Sequence, residues 1–361
     1  MDSITQGLLG AVFAQSIARQ KEHIRMAGTV GFLSSIVPDM DLFFKSDSDP
    51  LYRLVHHRHF THSLLFIPIG ALLAAGLGWI SYRKRSISFK DLYLYSTIAI
   101  ATHALLDACT SYGTQILLPF TNKRIAWDVV SIIDPIFSLP LFILLILGFI
   151  YAKVKFSRIA VIFSLAYLSL CTLSMLQAKS YIVKIANKRG HFPVRVEAKP
   201  SMFNSILFRT IYEADDMYHV DAVRVRPFAE HVLYPGGSVR KFVLRTNSIP
   251  PTQPPPPGGR RKKIEDESSL FIEPGSVLYN DIKRFVWFSG NMATLRTDGS
   301  GYCYVGDMRY GFIPNQIDSL WEIKFKPSEI DKHVERTHRH GLPQRAWDKF
   351  FAMLKGQSLP K

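Results

Sequence analysis

The 361 residues are 47% hydrophobic and carry a formal charge of +15, which leaves room for one to three domains. The charge excess comes without a basic helix or a basic sheet interleaved with aromatics, arguing against a nucleic-acid partner and for loops beside an anionic membrane. Cys109, Cys171 and Cys303 are far apart and form no CxxC pair, which excludes a disulfide framework and a zinc-finger signature.

The chain opens with MDSITQGLLG, which has no basic n-region, and this start is expected to be retained in the mature protein. Up to about Gln177 apolar segments dominate, at 4–18, 26–44, 63–82, 92–106, 129–151 and 156–178. A bilayer core of ~30 Å takes about 20 residues to cross. Segments 63–82, 129–151 and 156–178 reach that length, and the shorter ones are expected to be buried helices shielded by them. This predicts an α-helical polytopic membrane domain of five or six hydrophobic helices over residues 1–178. Loops 19–25, 83–90 and 153–158 hold 10 of the 15 Lys and Arg of this half. They fall at every second connection, so the positive-inside rule puts them in the cytoplasm. Loops 38–62 and 107–128, and the C-terminal half, then face outward from the inner membrane.

From about Arg195 the pattern changes to short alternating runs such as YHVDAVRV, separated by Gly and Pro. It predicts a mostly β (α+β) extramembrane domain over residues 179–361. Within it, a Pro-rich and charged insert at about 248–269 offers no core residues and is expected to be disordered.

The polar residues of the apolar half are unevenly placed. Asp39 and Asp41 stand in VPDMDLFF, His56, His57, His59 and His62 in HHRHFTH, His103 and Asp107 in ATHALLDACTSYG, and Asp128 and Asp134 in AWDVVSIIDP. The predicted topology brings all of them to the outer face. His103 and Asp107, four apart, share one face of a helix and can grip one ion. Pro38 disfavours a helical Val37, so Asp39 begins a break from which two carboxylates can be aimed. His57 and His62 can converge only if His57 lies in the loop and His62 opens the following helix. Carboxylate with imidazole is a ligand set for a divalent metal ion, zinc or manganese first. Asp128 and Asp134 also fit helix N-caps, whereas Asp47, Asp49 and His56 read as solvated loop residues.

PDMD, HRHFTHSLLF, THALLDACTSYGTQILLPF and RIAWDVVSIIDPIFSLPL resemble, in that order over about residues 1–150, the YdjM-like family, also described as LexA-regulated membrane-bound predicted metal-dependent hydrolases. Carried over by position, the resemblance implies metal ligands at Asp39, Asp41, His57, His62, His103 and Asp107. Some relatives carry a histidine where this chain has Gln6, which leaves that position outside the implied set. NDIKRFVWFSGNMATL and YVGDMRYG are similar to the C-terminal domain of longer members.

Two functions follow as expectations. The first is a membrane-bound metal-dependent hydrolase at the outer face, acting on a lipid-linked or phosphoester substrate. Asp128 or Asp134 would serve as its base, and Arg58 would hold an anionic group. The alternative is a non-enzymatic membrane protein that binds or passes a cation while its outer domain recognises a partner. Membrane lipids are the expected surroundings, and the sequence identifies no protein partner.

Overall fold

The computed structural model describes residues 1–82, 84–85, 87–246, 268–338 and 344–359. The expected Pro-rich insert lies, except for its last two residues, outside them. The N-terminal half is helical. Helices α1 (Ser3–Ser16) and α2 (His23–Ile36) form a hairpin with closely approaching backbones. A Cβ on Gly10 would stand 2.5 Å from the Ser35 Cβ, and one on Gly31 2.6 Å from the Ala14 Cβ. Small residues permit this packing where apolar surroundings give helices no other reason to associate.

After α2 the chain tightens into a 3₁₀ turn, Val37–Phe43, with Pro38 at its start. The short α3 (Tyr52–His56) and a second 3₁₀ turn, Phe60–His62, follow. Then come α4 (Phe66–Tyr82), α5 (Phe89–Cys109), α6 (Pro135–Tyr151) and α7 (Val154–Lys188). The Ser88 hydroxyl caps α5 by accepting from the Asp91 N–H at 3.1 Å. α6 starts with Pro135 at its first position, where no N–H is needed.

By length and composition, α5 and α7 suit membrane crossing. The Tyr52–His62 and Phe66–Tyr82 segments make a third span only if taken together across their 80° bend. α6 is apolar but has 17 residues. The structure therefore supports two or three crossings within a helical half. α7 runs unbroken through residue 178, and its last turns are already part of the C-terminal core. Ala178, Ile182 and Ala186 are buried with Phe208, Tyr212 and Val223.

The C-terminal region is rich in sheet. Strands β1 (Arg195–Pro200), β2 (Leu207–Ala214), β3 (Met217–Arg224) and β4 (Val232–Tyr234) pair antiparallel in that order, and β5 (Ser238–Arg240) also pairs with β3. The β2–β3 hairpin closes through Asp215 and Asp216, both at positive φ, as a two-residue turn matched to strand twist requires. β6 (Val243–Arg245) and β7 (Ser269–Phe271) form a parallel pair, followed by α8 (Val277–Phe288). A second antiparallel sheet, β11-β10-β9-β8, comprises β8 (Ala293–Thr297), β9 (Cys303–Asp307), β10 (Trp321–Phe325) and β11 (Glu335–His338). Finally α9 (Gln344–Lys355) buries Ala346, Phe350 and Met353 against Leu207, Ala222 and Tyr234.

The segment before α3 staples the two halves together. Leu51 and Leu54 are buried in one cluster with Phe285, Val305 and Ile323. Beside them Arg284 forks onto Asp49 at 2.6 and 2.8 Å. Leu51→Ala should therefore destabilise the junction by about 2–5 kcal/mol, the usual cost of emptying a buried leucine site. A thermal unfolding midpoint of the detergent-solubilised protein unchanged from wild type would refute that packing.

Candidate metal centre

The polar residues gathered on this side of the helical half are held by four segments. The 3₁₀ turn after α2 supplies Asp39 and Asp41. The turn rises about 2 Å per residue, so residues two apart stand about 4 Å apart along its axis. The α3–α4 connection supplies His57 and His62, and the last two turns of α5 supply His103 and Asp107. α1 closes the site from below.

Four ligating atoms face one another. His62 Nε2 lies 3.4 Å from Asp39 Oδ1 and 3.4 Å from Asp107 Oδ2. His103 Nε2 lies 3.6 Å from Asp39 Oδ1 and 3.5 Å from Asp107 Oδ2. These distances, with the ligand atoms of His62, His103 and Asp107 all within 4.8 Å of one another, are short enough for one ion to be shared. His62 and His103 side chains are fully buried and Asp107 is 1% exposed. Even so, His62 Nε2, His103 Nε2 and Asp107 Oδ2 have no hydrogen-bond partner. Each unsatisfied buried polar atom costs roughly 1–3 kcal/mol, and three such atoms aimed at one point fit a bound cation. His103 Nδ1 is also without a partner.

Asp41 and His57 stand on the other side of the His62 ring. Asp41 Oδ2 is 3.4 Å from His62 Nδ1 and accepts from Thr61 Oγ1 at 3.1 Å and from the Arg58 N–H at 3.0 Å. Its other oxygen is 2.8 Å from His57 Nδ1. A carboxylate behind a histidine fixes the ring and aims its far nitrogen. Burial opposes ionisation of Asp41, but the hydrogen bonds from His57 and His62 hold its carboxyl well below the ordinary range. The six acidic and imidazole side chains implied by the resemblance thus form one network, with four atoms on the Nε2 side of His62 and two residues on its Nδ1 side. Asp39, His57 and His62 also form a group whose ligand atoms lie within 4.8 Å of one another.

Arg58 is buried and sits at φ +62, a left-handed conformation that costs a non-glycine residue roughly 1 kcal/mol. Its Nη1 donates to Thr110 Oγ1 at 2.8 Å, and its Nε stands 3.1 Å from Asp107 Oδ2 without pointing squarely at it. The guanidinium covers the Tyr112 ring at 4.9 Å. It is thereby committed to orienting Asp107.

The structure places Asp128 and Asp134 elsewhere. Asp128 pairs with Lys199 Nζ at 2.9 Å. Asp134 caps α6, accepting from the Ile136 and Phe137 N–H groups, and its other oxygen accepts from Tyr167 Oη at 2.7 Å and Ser205 Oγ at 3.1 Å. His56 stacks on Tyr52 at 4.2 Å, and its Nδ1 is 3.0 Å from the Tyr52 carbonyl oxygen.

Sequence reasoning missed the contribution of α1. Ser3 Oγ donates to Asp39 Oδ2 at 2.5 Å, and Gln6 Nε2 donates to Asp107 Oδ1 at 2.7 Å. The Met1 amine reaches the same Asp107 oxygen at 2.6 Å. A buried glutamine in an apolar segment was the available signal, since an amide there needs a partner.

Residues 1–178 match the family described as YdjM inner membrane protein. Over 113 residues the chain is 28% identical to Uncharacterized protein YfhP of Bacillus subtilis (strain 168), covering 31% of this chain and 33% of that protein. Over 106 residues it is 28% identical to Inner membrane protein YbcI of Escherichia coli (strain K12), covering 28% of this chain and 60% of the relative. The matches thus span about a third and three fifths of these relatives' lengths. No solved structure matches the chain.

Asp134→Ala removes a buried cap and orphans the Tyr167 and Ser205 hydroxyls. It should lower stability by about 2 kcal/mol or more and leave the metal content of the folded protein unchanged. Thermal unfolding and elemental analysis of one preparation test both halves of that statement, and loss of metal in folded protein would place Asp134 in the centre.

Proposed function

The N-terminal half of this chain belongs to the YdjM inner membrane protein family, and we propose that the protein is a membrane-bound, metal-dependent hydrolase acting at the membrane's outer face. The observation that carries the reading is the set of converging ligand atoms without hydrogen-bond partners. Asp39, His62, His103 and Asp107 would hold the ion, with zinc or manganese favoured by the mix of imidazole and carboxylate ligands. Asp41 and His57 orient His62 from behind. Arg58, Gln6 and the Met1 amine fix Asp107 so that Oδ2 faces the imidazoles. Bound there, a divalent ion supplies Lewis acidity and a water that ionises near neutral pH. The buried helical walls exclude competing water, which strengthens every charge interaction inside. A lipid-linked or phosphoester substrate suits a centre at the membrane boundary. Given their partners, Asp128 and Asp134 have no part in this reading.

Cation passage is the competing function, and the helices below the centre favour a closed site over a path. There Ser34 Oγ pairs with Ser96 Oγ at 2.9 Å, and Ser157 Oγ pairs with Gln15 Oε1, so these interior polar groups are engaged with one another.

Single alanine changes at Asp39, His62, His103 and Asp107 should each remove most of the bound metal from folded, detergent-solubilised protein, whereas His56→Ala should keep it. Asp107→Asn, which retains shape but not charge, accompanies the alanine variant so that loss of packing is told apart from loss of the ligand. Full metal content in both the His103 and Asp107 variants would overturn the centre. A panel of phosphoesters and carboxylic esters, with and without chelator, then decides the hydrolase reading.

Orientation is tested separately. The 10 basic residues on alternate connections favour a cytoplasmic Lys84 and an external C-terminal domain. Reporter fusions at Lys84 and after Lys361 should read inside and outside respectively. A cytoplasmic signal from the second fusion would move the centre to the inner face.

A further inference from the structure

A second, separate site lies where the start of α6 meets the C-terminal sheets. Here a cavity of about 220 Å³ is bounded by residues 131–133, the end of β1 and the loop after β9. Three cations line it, Lys199, Arg209 and Arg309, and its lining contains no carboxylate. All three cations are buried. Lys199 is shared between Asp128 at 2.9 Å and Glu197 at 2.8 Å behind the wall, and Arg309 is paired with Asp307 at 2.7 Å. Arg209 spends its Nε and Nη1 on the carbonyl oxygens of Met308, Pro314 and Gln316, and its Nη2 has no hydrogen-bond partner.

One hydroxyl of the same lining, Tyr310 Oη, is also without a partner, whereas the Ser111 hydroxyl is engaged with the Asp128 carboxylate. Arg209 is 3% exposed, so bulk solvent does not reach its free Nη2. A buried donor without a partner is rare in a folded chain, and here two donors with spare capacity border one cavity. Burial also draws the Arg209 guanidinium down to about 10, against the opposing effect of Asp307 and Asp318.

The remaining wall is apolar. Phe312 and Trp321 line the cavity, and Ile133 and Met202, 44% and 39% exposed, stand at its rim. Ile133 lies two residues before α6, whose Ile136, Leu139 and Phe142 present an exposed apolar face. The lining therefore combines donors for an anion with an apolar exit leading onto an apolar helix.

We propose that this cavity binds the head of an anionic amphiphile, a phosphate or carboxylate on an alkyl chain, with the head between Arg209 and Tyr310 and the chain leaving past Ile133 and Met202. Most ligand pockets are larger, about 300–1,000 Å³, so the cavity suits a single small head group rather than a whole ligand. The site does not depend on the metal centre, since none of its lining residues contributes to that centre.

Titration of the full chain in neutral detergent with dodecyl phosphate tests it, with inorganic phosphate and dodecanol in parallel. Saturable binding of dodecyl phosphate is expected, at least tenfold tighter than either control. Inorganic phosphate binding as tightly would overturn the amphiphile, and dodecanol binding as tightly would overturn the anion site. Tyr310→Phe keeps the ring packed on Trp321 at 4.6 Å and removes one donor, which should weaken binding about tenfold, as loss of a hydrogen bond to a charged group does. Ser131→Phe, which fills the cavity, should abolish binding. If either variant fails to fold, the other still decides, and undiminished binding in a folded variant would place the ligand elsewhere. Metal content should be unchanged in both variants, which separates failure of this site from failure of the centre.

Discussion

The structure of the helical half depends on a carboxylate placed where a carboxylate is expensive. Asp107 lies in the last turn of a largely apolar helix and is 1% exposed, and an unpaired charge at such depth costs far more than a domain can spare. The chain answers by bringing three donors to it. Gln6 and the Met1 amine take one oxygen, and Arg58 approaches the other while bracing against Thr110. Those contacts fix α1 against α5 and draw the α3–α4 connection over the helix ends. Position is thereby coupled to charge, because the segments that carry His62 and Asp39 are held by the same interactions that make Asp107 tolerable.

A second carboxylate shapes the connection itself. Asp41 receives the Arg58 N–H, the Thr61 hydroxyl and His57, so a stretch without long regular structure is pinned at three points. The left-handed backbone at Arg58 is maintained by this grip. Hence the rings of His57 and His62 meet edge to face at 5.7 Å although the two residues are five apart and belong to no common helix.

Much of this was legible in the residues. The i, i+4 spacing of His103 and Asp107 implied a shared face, and the helix places both on the same centre. Pro38 did not keep Val37 out of the helical region, since Val37 stands at φ −54, ψ −42; the chain passes directly into the 3₁₀ turn that presents Asp39 and Asp41. The strand runs after Arg195 were visible as alternation. Other features could not be read locally. Asp128 looked like a helix cap or a base, but its partner Lys199 lies 71 residues away, and no periodicity predicts such a pairing. The division of the six polar residues about the two nitrogens of His62 is likewise a property of ring orientation, which spacing does not encode. Nor does hydropathy reveal that α7 continues past its apolar stretch, because the added turns are stabilised by the sheet they meet.

That continuity makes the long helix a ruler. At 1.5 Å per residue its 35 residues extend about 50 Å, against a hydrocarbon core of ~30 Å. Ala178, Ile182 and Ala186 are locked to the first sheet, so the helix cannot slide through that attachment, and a bilayer of different thickness must be met by tilt. The first sheet is joined to the tilting helix, and Arg209 and Tyr218 donate from it to the Met308 and Asn291 carbonyls. These bonds link it to α8 and the second sheet, where Leu51 and Arg284 hold residues 49–54. Tilt would therefore press or lift the connection that carries His57 and His62. The polar interior is thus connected to any tilt of α7 through a chain of packed contacts.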